Sequence, residues 1–168
     1  DVTSVAFDPS GRWLASGSIH GEVILWDLSI TRPMEVTATW PQPSVASVFF
    51  SADGQRLLAA NRDGQLHLWD RGTARSTPLN LTWPAKPMTI SAGPDVELLA
   101  AQIDGRILIC RSKDGATVDE ISIESRETTP LIFSPDGRYL AFGDRGQAFL
   151  RDIGQRKTIA AGAINKNI

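Results

Sequence analysis

The chain has 168 residues, 42% hydrophobic and 21% charged, the balance of a globular protein with one sizeable core, either a single domain or part of one. A formal charge of −2 and a pI near 5.7 exclude the basic footprint that a nucleic-acid binder turns toward phosphates. No apolar run approaches the roughly 20 residues that span a bilayer, and the chain opens directly into an alternating VTSVAF, so neither a membrane segment nor an export signal is expected.

Taken in chain order, the first predicted strand, a, covers Thr3 to Phe7 and ends at the turn Asp8-Pro9-Ser10-Gly11, where Pro fixes φ and Gly takes a positive φ. Strand b follows over Trp13 to Ser18, and His20-Gly21 reads as the shortest form of hairpin into strand c, Glu22 to Asp27. Strand d is predicted from Met34 to Thr39. The phrase GEVILWD at Gly21 then returns as GQLHLWD at Gly64, GRILICR at Gly105 and GQAFLRD at Gly146, in steps of 43, 41 and 41 residues. Upstream, VAFDPSGRWLASGS, VFFSADGQRLLAAN and LIFSPDGRYLAFGD share one strand-turn-strand pattern, of which ISAGPDVELLAAQ is a looser copy. The last d strand is predicted over Lys157 to Ala161.

A period of 40 to 45 residues marks a repeat whose unit cannot bury both of its faces alone. Strands b and c are nearly continuous apolar runs, as in sheets covered on both sides, whereas d alternates and is expected to lie outermost. Four-stranded antiparallel sheets stacked through both faces make an all-β propeller, with blades at residues 1–40, 44–83, 87–124 and 128–163.

LASGSIHGEVILWD, LLAANRDGQLHLWD and FSPDGRYLAF resemble the WD-repeat family, and the likeness extends over almost the whole chain. It is most specific in the first two units; Cys110-Arg111 and Arg151-Asp152 replace Trp-Asp in the others. The resemblance implies that these four degenerate repeats are an arc of a seven- or eight-bladed ring, completed by further blades of the same chain or by a homodimer. It also implies a buried tetrad of His, Ser or Thr, Asp and Trp. By position Ser16 and Trp26 match in the first unit, Asp63 and Trp69 in the second, and Asp104 in the third, but neither His20 nor His67 falls in the d–a turn. The network cannot close, so Asp63 and Asp104 are expected to cap their turns through backbone N–H groups, with partial tetrads as the alternative.

Catalytic patterns are missing. The two histidines have no second His or Cys at ligand spacing, and no metal site or cofactor is expected. Cys110, the only cysteine, fills the Trp slot of a buried strand and reads as an inert small hydrophobe. It precludes an intrachain disulfide and suits the reducing cytoplasm. There is no G-x-S-x-G elbow or phosphate-binding glycine loop. Two features bear on partners. Thr39-Trp40-Pro41 recurs as Thr82-Trp83-Pro84, where each indole either covers the edge of its blade or anchors a peptide. By the family resemblance, the b–c turns line the narrow face on which partners dock; Ile19, His20, Arg62, Ile103, Asp144 and Arg145 are the candidates, with Arg62 and Arg145 foremost. The expected function is a noncatalytic protein- or peptide-binding scaffold within a larger signalling or regulatory protein, without nucleic-acid or membrane partners. The rival is a propeller attached to an enzyme, of the serine-peptidase gating or periplasmic Tol type.

Overall fold

The computed structural model describes residues 1–29, 38–39, 44–73 and 75–163, with the backbone alone at 38–39 and 160–163. The chain divides into two compact units, residues 1–86 and 87–168, each holding two four-stranded antiparallel sheets. In the first unit, β1 (Val2–Phe7), β2 (Trp13–Ser18), β3 (Glu22–Asp27) and β4 (Ala38–Thr39) form one meander. The other is β5 (Val45–Phe50), β6 (Arg56–Asn61), β7 (Leu66–Asp70) and β8 (Arg75–Leu79). The second unit holds β9 (Thr89–Ala92), β10 (Leu98–Ile103), β11 (Arg106–Arg111) and β12 (Thr117–Ser122). It closes with β13 (Leu131–Phe133), β14 (Tyr139–Asp144), β15 (Gln147–Asp152) and β16 (Lys157–Ala163). Four such sheets, each pairing its strands in sequence order, are blades of a β-propeller. The strand expected from Met34 begins outside the described residues.

Local chemistry sets the turns. Gly11, Gly54 and Gly137 take φ of 70, 66 and 70°, and each donates its N–H back to the residue three before it. The looser third copy puts Val96 at this place with φ 53°, a conformation costly for a β-branched residue. Its side chain is fully buried, and that burial holds it there.

The sheets of each unit pack face to face. Trp13, Ala15, Val23 and Leu25 of the first sheet bury against Val45, Val48, Leu57 and Ala59 of the second. A β-carbon at Gly17 would collide with the Val45 side chain, so the absent side chain is what lets β5 start there. In the second unit Ala100, Ile107, Ile109 and Ile121 pack on Leu131, Leu140 and Phe142. Each large side chain so buried is worth about 1.5–3 kcal/mol. Nearly every side chain of β10 and β11 is buried, while Ala148 to Arg151 of β15 stay half-buried. The d strands differ: β12 alternates buried Asp119 and Ile121 with exposed Glu120 and Ser122, whereas Arg75 to Pro78 of β8 are all exposed.

Candidate interaction surface

The b–c hairpins are of two kinds, which corrects the expectation of one shortest form. In the first two sheets the loop has three residues: Gly21 donates to the Ser18 carbonyl and Gly64 to that of Asn61, both at 3.2 Å, with the glycines at φ 82 and 81°. This is the geometry of a type I turn closed by a glycine bulge. Only the third and fourth hairpins are two-residue turns with both residues at positive φ, Asp104 (45°) with Gly105 (74°) and Arg145 (48°) with Gly146 (73°).

Neighbouring side chains hold the loop tips in place. Asn61 Oδ1 accepts the N–H groups of Asp63 and Gln65, both at 2.9 Å, and Ser18 Oγ accepts those of His20 (3.2 Å) and Glu22 (3.3 Å). Asp63 is therefore not the cap of its turn. Asn61 performs that task from inside the sheet, and the Asp63 carboxylate takes the Lys86 ammonium at 2.8 Å in an exposed pair. Asp104 serves its turn through its left-handed backbone and is exposed.

The second and third d–a connections fold back over the hairpins. Trp83 donates its indole N–H to the Gly64 carbonyl at 2.8 Å, and together with Leu81, Gln65 and Lys86 it walls a pocket of about 410 Å³. Asp144 accepts the backbone N–H groups of Glu124 (3.1 Å) and Ser125 (2.6 Å), while Arg145 pairs with the Glu124 carboxylate. Beside this hairpin, Thr129, Pro130, Ile132, Ala141 and Phe142 border a second pocket of about 460 Å³.

Of the candidate contacts, His20, Arg62 and Arg145 are exposed, Ile19 is half-buried, and Asp144 is occupied by the connection it holds. Ile103 is 1% exposed and, being buried, has no surface to offer a partner; the expectation for it is corrected. Trp40 lies outside the described residues. Of the tetrad positions, Trp26 donates to Ser16 Oγ at 2.9 Å. Trp69 packs against the core, but Ala59 stands one repeat step from Ser16 and brings no hydroxyl. His67 Nδ1 lies 3.2 Å from Ser76 Oγ, and burial pulls its pKa below the usual histidine range.

Polar contacts that sequence reasoning missed tie the sheets together. Gln102 is wholly buried; its Nε2 donates to the Glu127 carbonyl (2.8 Å) and its Oε1 accepts from Thr129 N (2.8 Å). Arg151, in the slot that Trp26 and Trp69 fill, makes a two-pronged pair with Asp119 of β12 at 2.7 and 2.8 Å. Arg12 grips Asp27, and Arg138 grips Asp152, which the phrases GRW and GRY could have signalled as an arginine set one turn from the strand-ending aspartate. The guanidinium and the Ser29 hydroxyl hold the Asp27 carboxyl far below the usual range. Arg71 donates to the Gly54 carbonyl at 2.6 Å and lies 4.5 Å from the Trp13 ring, with Arg12 at 5.3 Å from the same ring.

Burial, helped by Asp114, pushes the Cys110 thiol up to about 11. Among the described residues no group of three His, Cys, Asp or Glu could hold a metal. The first two hairpins, whose loops are tied from beneath by Ser18 and Asn61 and whose strand c ends in Trp-Asp, lie in the residues that match the family described as WD domain, G-beta repeat, 1–27 and 34–70. Residues 1–27 and 34–70, which hold the first two sheets apart from β8, carry WD repeats. The structure of the chain is similar to the β-propeller domain of Cps50 (Swd1) from Myceliophteria thermophila, with a TM-score of 0.72, 21% sequence identity and 96% of this chain covered. The chain spans 58% of the length of that domain. No curated protein matches it in sequence. At that identity the likeness concerns the fold, and the chain's own surface has to carry the argument for function.

Proposed function

We propose that the chain is a noncatalytic protein-interaction scaffold, one module of a larger regulatory or signalling protein, which grips a protein or peptide through its b–c hairpins. One observation supports this above the others. His20, Arg62 and Arg145 stand exposed on loops already fixed by Ser18, Asn61 and the Asp144 contacts, so a partner meeting several loops at once loses little free energy to ordering them. Its net negative charge disfavours nucleic acid as the partner. The cytoplasm suits the lone cysteine. Further sheets of the same repeat, continuing the polypeptide or brought by a second copy, complete the ring.

The test is capture from extract of the native cell on immobilised protein, comparing wild type with Arg62→Glu/Arg145→Glu. Loss of a specific captured protein, at an unchanged circular dichroism spectrum, is the expected result. Equal capture by both refutes the hairpin rim as the contact surface and moves attention to Trp83.

A further inference from the structure

Five Asp-Gly pairs occur in the chain, at residues 53–54, 63–64, 104–105, 114–115 and 136–137, and each lies in a turn between two paired strands. Such a pair carries a reaction of its own. The glycine nitrogen, with no side chain beside it to shield the approach, attacks the aspartate carboxyl carbon. As the N–C bond forms, the carboxyl hydroxyl leaves with the amide proton as water, and a cyclic imide remains. Water then opens the imide at one of its two carbonyl carbons. Opening at the side-chain carbon returns aspartate; opening at the main-chain carbon leaves isoaspartate, with the backbone routed through the side chain and no net change of mass.

In four of the pairs the fold holds both reacting groups. Gly54, Gly64, Gly115 and Gly137 donate their N–H groups to the carbonyls of Ser51, Asn61, Arg111 and Ser134. Asp53 accepts the Ser51 hydroxyl and the Gln55 N–H, and Asp136 accepts the Ser134 hydroxyl and the Arg138 N–H. Asp114 accepts from Arg111 and the Ala116 N–H, and Asp63 takes the Lys86 ammonium. The pair at 104–105 differs, because a two-residue turn leaves the N–H of its second residue without a carbonyl to reach. Among the described residues nothing accepts the Gly105 N–H, and nothing donates to the carboxylate of the exposed Asp104. The fourth hairpin has the same turn, but Arg145 stands there and brings no carboxyl.

We propose that Asp104-Gly105 is a modification site, at which the folded chain converts its own aspartate to isoaspartate. The product adds a methylene to the main chain of the tightest kind of turn. It thereby strains the Ile103–Arg106 register and draws the Gly105 carbonyl away from the Ile123 N–H that it now accepts at 2.9 Å. This inference does not depend on the partner-binding role of the hairpins.

The test is incubation of the purified chain near neutral pH, native and in urea, followed by peptide mapping with electron-transfer fragmentation, which cleaves the added main-chain bond of isoaspartate. Methyl transfer from S-adenosylmethionine by an isoaspartyl methyltransferase measures the total. In the native chain isoaspartate at residue 104 is expected to form at least about tenfold faster than at the other four pairs, where hydrogen bonds must first be released. In urea the five rates should converge. Asp104→Glu, which would have to close a larger and slower ring, should remove most methyl acceptance of the native chain at an unchanged circular dichroism spectrum. Isoaspartate spread evenly over the native pairs, or foremost at another pair, overturns the assignment. So does a native residue 104 that stays intact while the chain in urea reacts.

Discussion

Replacing Gln102 by methionine isolates what the buried amide contributes to the second unit. Methionine keeps the side-chain length and nearly the volume, so no cavity opens, while all three hydrogen bonds disappear. Glu127 is exposed and its carbonyl can turn to water, but Thr129 is 7% exposed and its N–H cannot. An unpaired buried N–H costs about 1–3 kcal/mol, and loss of the Thr129 hydroxyl bond adds about 0.5–1 kcal/mol. Burying a thioether in place of an amide returns about 1 kcal/mol, leaving a net loss of about 2 kcal/mol. With an m-value of about 2 kcal/mol/M in urea, the unfolding midpoint of the second unit falls by about 1 M. All five tryptophans lie before residue 87, so far-UV circular dichroism is the right probe rather than indole fluorescence. Hydrogen exchange at the Thr129 amide supplies a local readout and should quicken. A midpoint within about 0.2 M of wild type and unchanged exchange at Thr129 would refute the reasoning, because the amide would then have another acceptor.

Acid should unfold the first unit partly through Asp27. Its carboxyl titrates lower in the folded chain than in the unfolded one, so the stability it confers is full above the ordinary carboxylate pKa of about 3.9 and declines as pH falls below it. Asp27→Asn should therefore lower stability at pH 7 and flatten the acid limb of a melting-temperature profile, whereas an acid limb parallel to wild type would contradict the role. Cys110 should stay unreactive toward a thiol reagent at neutral pH in the folded chain and react fully once denatured, as its raised pKa and burial require. Fast native labelling would show that the third sheet opens readily.

The repeat period, the antiparallel sheets and the a–b turns were legible in the sequence because they follow from local chemistry: Gly11 or Gly137 after a proline, a glycine-led phrase returning after 43, 41 and 41 residues, and strands long enough to pair with a neighbour in sequence. The hairpin type was not legible. His20-Gly21 and Asp104-Gly105 read alike, yet the first is a three-residue loop and the second a two-residue turn, since Ser18 and Asn61 bind backbone N–H groups that no residue in the third sheet's hairpin is placed to take. The site was legible in part. His20, Arg62 and Arg145 are at exposed tips as their turn positions implied, but Ile103 is buried, and Asp144 is spent on a connection twenty residues upstream. Arg151 shows the division most plainly. Read alone it is a lost tryptophan, and only its approach to Asp119, 32 positions earlier, turns it into a matched pair. Turns and strand pairing are set by residues close in sequence, whereas the fate of a buried charge depends on what packs against it, and that is decided when distant sheets meet.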